Sequence, residues 1–528
     1  MKIMIMDTTL RDGEQTSGVS FTAKEKLKIA KLLVEDLNID RIEVASARVS
    51  QGEFNGARMI FDWAGEHGYL DRVEVLGFVD GKVSLEWIAN AGGRVINLLT
   101  KGSLKHCEHQ LRKTPDQHIA DIKEVVKHAN EMGIRVNIYL EDWSNGMRNS
   151  PGYVYYMLEN LKDEGIDRFM LPDTLGILNH KETYDMCLDM RQRYPFLNFD
   201  FHAHNDYDLA TANVYSAISA GINGIHTTLN GLGERAGNVP LSSVIGIIKD
   251  HLKYDLSVRE EKLYLVSKLI ESFSGVRIPA NKPLIGENVF TQTSGIHADG
   301  DQKDNLYFND LLPERFGRKR QYALGKMSGR ASIMKNLEEL GMRLDKNEMK
   351  MVAERVIELG DKKETVTKED LPYIISDVLK SERIDNKIKI RNYSLSVAAG
   401  LRSMATLSIE IDDMVYEETA SGDGQYDAFM KALWRIYARL DKSRPVLKDY
   451  IVTIPPGGKT DALVECMITW DFNGKAFKTR GLDSDQTIAA IKGTLRMLNL
   501  IETMVENGTG YESGSESGKQ KSPAGKNA

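Results

Sequence analysis

The sequence predicts an α/β protein whose N-terminal part is a closed (β/α)8 TIM barrel. Over residues 1–270, eight short apolar runs typical of buried strands alternate with amphipathic helical segments. This alternation indicates a parallel sheet, and eight such units in this length favour closure into a barrel. An open doubly wound sheet is the alternative, but no glycine-rich dinucleotide fingerprint follows the first strand.

The predicted strands are short and follow one another at regular intervals. They cover residues 3–6, 41–45, 73–78, 95–99, 136–141, 168–171, 199–204 and 224–229. Amphipathic segments such as 119–132 and 153–164 supply the intervening helices. The first helix is expected to begin at a capping box, because Thr22 is followed three residues later by Glu25.

Two further regions are predicted after the catalytic barrel of residues 1–270. Residues 271–382 lose the strand rhythm and are predicted to form helical linker subdomains. Residues 383–505 are predicted to form an α+β domain, with strands at 388–397, 404–411, 450–454 and 462–472 and helices near 426–439 and 487–500. Residues 506–528 are rich in Gly, Ser and Lys, and we expect them to be disordered.

Size and composition indicate a soluble chain of two or three domains. The chain has 528 residues, of which 41% are hydrophobic and 27% charged. Its net charge of -7 gives no support for a nucleic-acid or anionic-membrane partner. No apolar run is long enough to span a bilayer, and the chain starts directly with a strand, so a cytoplasmic location is expected. Cys107, Cys187 and Cys466 are too few and too far apart for a disulfide framework.

Charged and polar residues cluster at predicted strand ends, where parallel α/β barrels carry their chemistry. The first strand runs into a turn that contains the adjacent Arg11 and Asp12. His202 and His204 lie two residues apart on the seventh strand, so both imidazoles point to one face. Strands one and seven approach each other in a closed barrel, so Asp12 can join the histidines as a metal ligand. We therefore interpret Arg11 and Asp12 as two groups that face one substrate, rather than as a loop ion pair.

The loop after the eighth strand, residues 231–238, holds three glycines together with Glu234, Arg235 and Asn238. The glycines indicate a backbone that bends tightly or is approached closely by a ligand. Two imidazoles, a carboxylate and an Asn oxygen would suit Zn²⁺, Mn²⁺, Mg²⁺ or Co²⁺. Open coordination positions would let such an ion polarise a carbonyl oxygen.

Three further strand ends are weaker candidates. Glu141 ends the fifth strand and Thr174 follows the sixth, but strand-end residues often cap helices. The turn at residues 100–103 could bind an anion, although an ordinary turn is the simpler interpretation.

Three separated motifs, in the right order, resemble the 2-isopropylmalate, homocitrate and citramalate synthase family. These are metal-dependent barrel enzymes that condense acetyl-CoA with a 2-oxo acid. The motifs are DTTLRDGEQ at residues 7–15, HAHND at 202–206 and GLGERAGN at 231–238. SGIH at 294–297 is similar to the family's downstream catalytic segment, and GDGQYDA at 422–428 resembles the start of its allosteric domain. The resemblance covers nearly the whole chain up to about residue 502.

The resemblance implies roles for the candidate residues. The implied ligands of a divalent Mn²⁺, Mg²⁺ or Zn²⁺ ion are Asp12, His202, His204 and Asn238. The implied catalytic residues are Arg11, Glu141, His297 and Tyr307. Arg11 would stabilise the developing alkoxide, Glu141 and His297 would form the acid–base pair, and Tyr307 would assist. Thr174 would hold the substrate carboxylate. The resemblance also implies a homodimer, in which His297 and Tyr307 could act in cis or in trans.

The 2-oxo acid is expected to be selected by pocket size. Leu76, Leu99 and Tyr139 match positions in the pyruvate-using branch, where they would fill the space that an isopropyl group needs. Pyruvate, giving (R)-citramalate in isoleucine biosynthesis, is therefore favoured. The alternative is 2-oxoisovalerate, as in a 2-isopropylmalate synthase of leucine biosynthesis, and these side chains could also be ordinary barrel residues.

The C-terminal domain would, by the same resemblance, bind a feedback amino acid, either isoleucine or leucine. The candidate effector-pocket residues are Tyr426, Asp427, Leu447, Tyr450, Ile454 and Val464. Each of them could equally be part of an ordinary domain core.

Two other functional classes compete with a synthase. A 3-hydroxy-3-methylglutaryl-CoA lyase would carry a cysteine in the loop after the eighth strand, and residues 231–238 contain none. A metabolite sensor with a decayed barrel is disfavoured, because the metal and acid–base residues are all present.

Overall fold

The structure is a computed structural model that describes residues 2–301, 303, 306–340, 342–361, 366, 368–379, 387–453 and 464–506. The chain divides into two compact units. The first comprises Met1–Thr291 and Phe308–Arg320, and the second comprises Gln292–Tyr307 and Gln321–Ala528.

The first unit is built around a closed barrel of eight parallel strands in sequential order, which confirms the predicted fold class. The strands are β1 Met4–Asp7, β2 Arg41–Ser46, β3 Val73–Phe78, β4 Val95–Lys101, β5 Arg135–Glu141, β6 Arg168–Asp173, β7 Phe199–Ala203 and β8 Gly224–Thr227. β1 closes the barrel by pairing with both β2 and β8. The carboxyl ends of all eight strands consequently meet at one mouth.

Helices cover the outside of the barrel. They are α1 Ala23–Lys31, α2 Gln51–His67, α3 Val83–Ala91, α4 Pro115–Glu131, α5 Trp143–Asn149, α6 Pro151–Leu161, α7 His180–Arg193, α8 Ala210–Ser219, α9 Leu241–Gly246 and α10 Leu263–Ser274. The predicted capping box at Thr22 and Glu25 is present, and a cap of this kind typically contributes about 0.5–2 kcal/mol. Outward-facing aliphatic side chains of the strands pack against these helices in one continuous core.

Part of the barrel interior is filled by buried charged side chains. Arg41 of β2 reaches across the interior to Asp200 of β7, with 2.7 Å between Nη1 and Oδ2, and also pairs with Glu74 of β3 at 2.6 Å. Arg168 of β6 pairs with the same Asp200. Burial raises the pKa of Asp200, but the two guanidinium groups outweigh it and hold that pKa well below its usual range. These pairs tie four strands together, and removing one partner would leave an uncompensated buried charge.

Asp7, the last residue of β1, is a separate buried carboxyl group that provides a pH-dependent test of stability. Burial raises the pKa of its carboxyl to about 7, against opposing hydrogen bonds from Thr9 and Thr227. Between pH 4 and pH 7 the folded state therefore keeps a proton that the unfolded state has lost. The stability associated with this proton is complete below pH 4 and is lost as the pH rises to about 7.

We expect Asp7→Asn to match the wild type near pH 4 and to be more stable by a few kcal/mol (about 1.4 kcal/mol for each pKa unit) above pH 7. The difference in urea midpoint between the two proteins, measured at pH 5 and pH 8, tests this expectation. A difference that does not change between these two pH values would contradict it.

Two short paired strands and four α-helices occupy the described residues between Thr291 and Leu379. The elements up to residue 379 are the paired strands β9 Thr291–Gln292 and β10 Gln321–Tyr322 and the helices α11 Gly295–Asp301, α12 Arg330–Glu339, α13 Lys346–Asp361 and α14 Leu371–Leu379. Aliphatic side chains of α12, α13 and α14 form a small core of their own.

The C-terminal part repeats one arrangement twice: three antiparallel strands followed by a helix. The first repeat is β11 Ile388–Ser396, β12 Ser403–Ile411, β13 Met414–Gly422 and α15 Gln425–Arg439. The second repeat is β14 Val446–Thr453, β15 Val464–Phe472, β16 Lys475–Asp483 and α16 Gln486–Glu506. The sequence patterns missed β13 and β16, because both are edge strands with many polar or exposed side chains. Residues 507–528 of the predicted tail lie outside the described residues.

Two simpler predictions can be compared directly with the structure. The cysteines are all unpaired and buried, as expected from their number and spacing. Within the described residues, no helix combines the length and the apolarity that a membrane span requires.

Candidate active site

The turn after β1 is held rigidly at the mouth of the barrel. The backbone N–H groups of Arg11, Asp12 and Gly13 all donate to the carbonyl oxygen of Thr8, at 2.8–3.1 Å. Lys26 of α1 is buried beneath the turn, where its Nζ donates to the carbonyl oxygen of Leu10 at 3.1 Å. This frame fixes the backbone from which the Arg11 and Asp12 side chains project.

Asp12, His202 and His204 converge into one buried cluster. Their ligand atoms all lie within 4.8 Å of one another. His202 Nε2 is 3.3 Å from Asp12 Oδ2 and 3.3 Å from His204 Nε2. Two imidazole nitrogens and a carboxylate oxygen thus surround one point, which is an arrangement that can hold a divalent metal ion.

Asn238 completes the cluster from the loop after β8. Its Nδ2 donates to Asp12 Oδ1 at 3.1 Å and to the carbonyl of Leu232 at 3.1 Å. Its Oδ1 is buried and has no hydrogen-bond partner within the described residues. The Asn238 amide thus contacts Asp12, and its unpartnered oxygen is available as a fourth metal ligand.

Glycine is required in this loop for physical reasons. A Cβ at Gly237 would lie 2.0 Å from the carbonyl oxygen of Gly231, and one at Gly233 would lie 2.3 Å from Asn238 Nδ2. Gly231 and Gly237 also have positive φ angles of 80° and 83°. The tight loop predicted from the sequence is therefore present. It positions the Asn238 side chain next to Asp12.

Local electrostatics suit metal binding. Burial raises the pKa of Asp12, but Arg11 and the hydrogen bond from His202 outweigh it, and the resulting pKa lies well below the usual range. Burial lowers the pKa of His204 to about 4. At neutral pH the cluster consequently contains an ionised carboxylate and a neutral imidazole at His204, which are the protonation states that metal ligands need.

Arg11 uses three of its five N–H donors within this site. Its Nε donates to Glu43 at 2.5 Å, its Nη1 to Asp12 at 2.8 Å and its Nη2 to the Tyr139 hydroxyl at 3.1 Å. The expectation that Arg11 and Asp12 do not pair with each other is wrong, because the short turn places both side chains on the same side. Glu43 was missed by the sequence interpretation, although a carboxylate inside an apolar strand run could have identified it.

The candidate pocket residues Leu76, Leu99 and Tyr139 pack together inside the barrel. They form an apolar cluster with Met6 and Met170, separate from the main core. The two methionines were missed because they lie in uniformly apolar strands, where the sequence does not distinguish inward from outward positions.

Glu141 and Thr174 lie at neighbouring strand ends. The Glu141 carboxylate forms a short ion pair with Lys101 at the end of β4. The Thr174 hydroxyl oxygen accepts a hydrogen bond from the backbone N–H of Asp142 at 2.9 Å. This contact leaves the Thr174 hydroxyl proton available for a ligand.

His297 and Tyr307 belong to the second unit, where they contact each other. Their ring centroids are 4.2 Å apart, and His297 Nδ1 lies 3.2 Å from the Gln292 side-chain oxygen. The structure therefore brings these two candidates together as a pair. Their contribution to the barrel site remains a prediction.

The effector candidates are only partly assembled. The Tyr426 and Tyr450 rings lie 5.5 Å apart, and the Tyr426 hydroxyl is 2.7 Å from Thr494 Oγ1. Asp427 is instead occupied at the start of α15, where it pairs with Lys431 at 2.7 Å. Of the other candidates, Val464 is buried, Leu447 is exposed, and Ile454 lies outside the described residues.

Comparison with known proteins gives matches over most of the chain. The family model described as HMGL-like matches residues 2–270. The homocitrate synthase post-HMGL domain-like model matches residues 284–364, and the LeuA allosteric (dimerisation) domain model matches residues 365–502.

Two curated relatives come from one organism, Methanocaldococcus jannaschii. Its (R)-citramalate synthase is 31% identical over 506 residues, covering 95% of this chain and 100% of the relative. Its 2-isopropylmalate synthase is 30% identical over 506 residues, covering 95% of each. The two identities are nearly equal, so overall similarity does not distinguish between these two activities.

Fold and site together define a class, namely a TIM-barrel enzyme whose Asp–His–His cluster can hold a divalent metal ion at the carboxyl ends of its strands. Within that class, the chain belongs to the HMGL-like family and carries the LeuA allosteric (dimerisation) domain. The resemblance seen in the three sequence motifs is confirmed.

Proposed function

We propose that this chain is an acyltransferase that condenses acetyl-CoA with pyruvate, giving (R)-citramalate and CoA in isoleucine biosynthesis in the cytoplasm. The observation that carries the choice of pyruvate is the apolar cluster of Met6, Leu76, Leu99, Tyr139 and Met170 inside the barrel. The Tyr139 hydroxyl accepts a hydrogen bond from Arg11, so this cluster borders the charged site directly. Bulky side chains at this position leave room for a methyl group more readily than for an isopropyl group.

The proposed chemistry uses the site residues in distinct roles. A divalent ion held by Asp12, His202, His204 and Asn238 would act as a Lewis acid toward the 2-oxo acid. Arg11 would donate hydrogen bonds to the carbonyl oxygen as it gains negative charge, and such stabilisation acts chiefly in the transition state.

The remaining residues handle the two substrates. The Thr174 hydroxyl would donate to the pyruvate carboxylate, and Glu141 would remove a methyl proton from acetyl-CoA. Proton transfer by a positioned base typically contributes about 10²–10⁴-fold. His297 and Tyr307 would act as the acid–base partners of Glu141, and hydrolysis of the thioester would then make the reaction irreversible.

A panel of 2-oxo acids tests this proposal. With acetyl-CoA and Mn²⁺, CoA release is measured with pyruvate, 2-oxoisovalerate and 2-oxoglutarate. We expect pyruvate to give the highest kcat/KM. Preferred turnover of 2-oxoisovalerate would instead identify a 2-isopropylmalate synthase, the alternative that the second relative's name supports.

Enlarging the pocket should change this preference. We expect Leu99→Ala to raise the ratio of kcat/KM for 2-oxoisovalerate to that for pyruvate by about tenfold or more, because each accommodated methylene is worth about 1–3 kcal/mol. Leu98→Ala is the matched control, since Leu98 lies on the same strand but packs in the outer core. An equal change of the ratio in both variants would show that Leu99 does not select the substrate.

We further propose that the C-terminal domain forms a homodimer and binds isoleucine as a feedback inhibitor. The match to the LeuA allosteric (dimerisation) domain and the adjacent Tyr426 and Tyr450 rings support this proposal. We expect Tyr450→Ala to raise the isoleucine concentration for half-inhibition at least fivefold, within the usual range of allosteric coupling. Unchanged inhibition, or inhibition of the wild type by leucine alone, would contradict it.

A further inference from the structure

Lys101, the last residue of β4, is a buried lysine whose backbone is held on both sides. Its N–H donates to Nε2 of His118 at 3.1 Å, and its carbonyl oxygen accepts from the Tyr153 hydroxyl at 3.1 Å. Burial lowers the pKa of His118 to about 4, so this imidazole is neutral and its nitrogen can accept. The next residue, Gly102, donates its N–H to the carbonyl of Glu141 at 2.6 Å. Lys101 is thus attached firmly to the strand that carries Glu141.

The side chain of Lys101 faces the substrate pocket. Side chains two residues apart on a strand point to the same face. Leu99 on β4 and Tyr139 on β5 both belong to the apolar cluster inside the barrel. Lys101 and Glu141 are two residues further along the same strands, and they are register partners. Both groups therefore lie above the pocket floor, at the mouth.

The ammonium group of Lys101 has hydrogen-bonding capacity left for a ligand. The residue is 7% exposed, and within the described part of the chain its Nζ contacts the Glu141 carboxylate only. An ammonium carries three donors, so two remain after this contact. Buried donors of this kind are costly to leave without a partner.

We propose that Lys101 is a catalytic residue that donates a hydrogen bond to the thioester carbonyl oxygen of acetyl-CoA. The inference rests on the proposed function, in which Glu141 removes the methyl proton. The methyl carbon and the carbonyl oxygen are bonded to the same carbon atom. A base for the first and a cation for the second must therefore be neighbours, as Glu141 and Lys101 are.

The step balances without any further reactant. A methyl C–H bond breaks and its proton passes to a Glu141 carboxylate oxygen. The electron pair forms a carbon–carbon double bond, and negative charge moves to the thioester oxygen beside the Lys101 ammonium. When the enolate carbon attacks the carbonyl carbon of the 2-oxo acid, the thioester C=O bond is restored. The hydrogen bond from Lys101 is strongest while the oxygen carries charge, so it favours the transition state over bound acetyl-CoA.

In the alternative role, Lys101 would only neutralise the negative charge of the Glu141 carboxylate and would not contact acetyl-CoA. The Glu141→Gln background separates the two roles, because it contains no carboxylate to neutralise. The probe is carboxymethyl-CoA, a thioether whose carboxylate imitates the charge of the enolate oxygen. Its affinity is measured by calorimetry in Glu141→Gln and in Lys101→Met/Glu141→Gln, with Mn²⁺ and pyruvate present.

We expect the double variant to bind carboxymethyl-CoA about 10- to 100-fold more weakly than Glu141→Gln does, because it lacks one charge-assisted hydrogen bond to the probe. The affinity for acetyl-CoA should differ little between the two proteins. Equal affinities of the two proteins for the probe would overturn the proposal. Lys113→Met is the matched control, because Lys113 pairs with Asp121 away from the barrel interior.

The kinetic counterpart uses Lys101→Met and Lys101→Arg in the otherwise native chain. Loss of one oxyanion donor typically lowers kcat about 10²–10³-fold, and we expect such a loss in Lys101→Met with partial recovery in Lys101→Arg. A raised KM for pyruvate at unchanged kcat would place Lys101 at the 2-oxo acid instead and overturn the proposal. A wild type that releases no CoA with any 2-oxo acid would refute the proposed function itself, a separate outcome.

Discussion

Arg11→Lys is expected to lower kcat for CoA release by about 10²–10³-fold, the usual cost of removing a donor aimed at a developing oxyanion. Lysine keeps the positive charge but lacks the planar fork that lets one guanidinium contact Glu43, Asp12 and the Tyr139 hydroxyl together. The lysine variant is preferable to Arg11→Ala, which would leave two buried carboxylates without their cation and cost about 3–5 kcal/mol of stability.

Mn²⁺ affinity distinguishes a catalytic effect of Arg11→Lys from collapse of the site. We expect this affinity to change much less than kcat, because Arg11 is not a metal ligand. Arg48→Lys is a suitable control, since Arg48 forms an exposed pair with Asp80. Activity of Arg11→Lys near that of the wild type would contradict the role assigned to Arg11.

His202→Asn is expected to lower Mn²⁺ affinity by more than 100-fold and to abolish CoA release at micromolar metal. Even outer partners of metal ligands are typically worth 10–100-fold in affinity, and a direct ligand is worth more. His202 is the central member of the cluster, 3.3 Å from both Asp12 Oδ2 and His204 Nε2. Its loss therefore removes the nitrogen that both other ligands approach.

Thermal unfolding provides a second measurement of this loss that does not depend on activity. Metal that binds only the folded state raises the melting temperature as its concentration exceeds Kd. We expect saturating Mn²⁺ to stabilise the wild type and the control His128→Asn, but not His202→Asn. His128 is a suitable control because it lies in helix α4, outside the cluster of candidate metal ligands. An equal rise in all three proteins would mean that Mn²⁺ binds elsewhere.

The sequence was sufficient to predict those elements whose pattern of apolar residues matches the side chains that are buried in the fold. All eight barrel strands were located because their apolar runs are bounded by helical segments, and β3 has the predicted limits. The pair His202 and His204 could be recognised because spacing of two on a strand fixes a common face. The edge strands β13 and β16 were missed, since few of their side chains reach the core.

Features that depend on contacts across the barrel could not be predicted from local pattern. The pairing of Arg11 with Asp12 and Glu43 follows from the shape of one turn and its position against β2. The contact between Lys101 and Glu141 requires the register of β4 against β5. The inward orientation of Met6 and Met170 is likewise set by barrel closure rather than by any motif.

The most direct test of the central claim is CoA release by the metal-stripped chain, with each component omitted in turn. We predict release only when acetyl-CoA, pyruvate and a divalent ion are all present, with citramalate formed in equal amount. Release of CoA without a 2-oxo acid, or at full rate in excess chelator, would contradict the account.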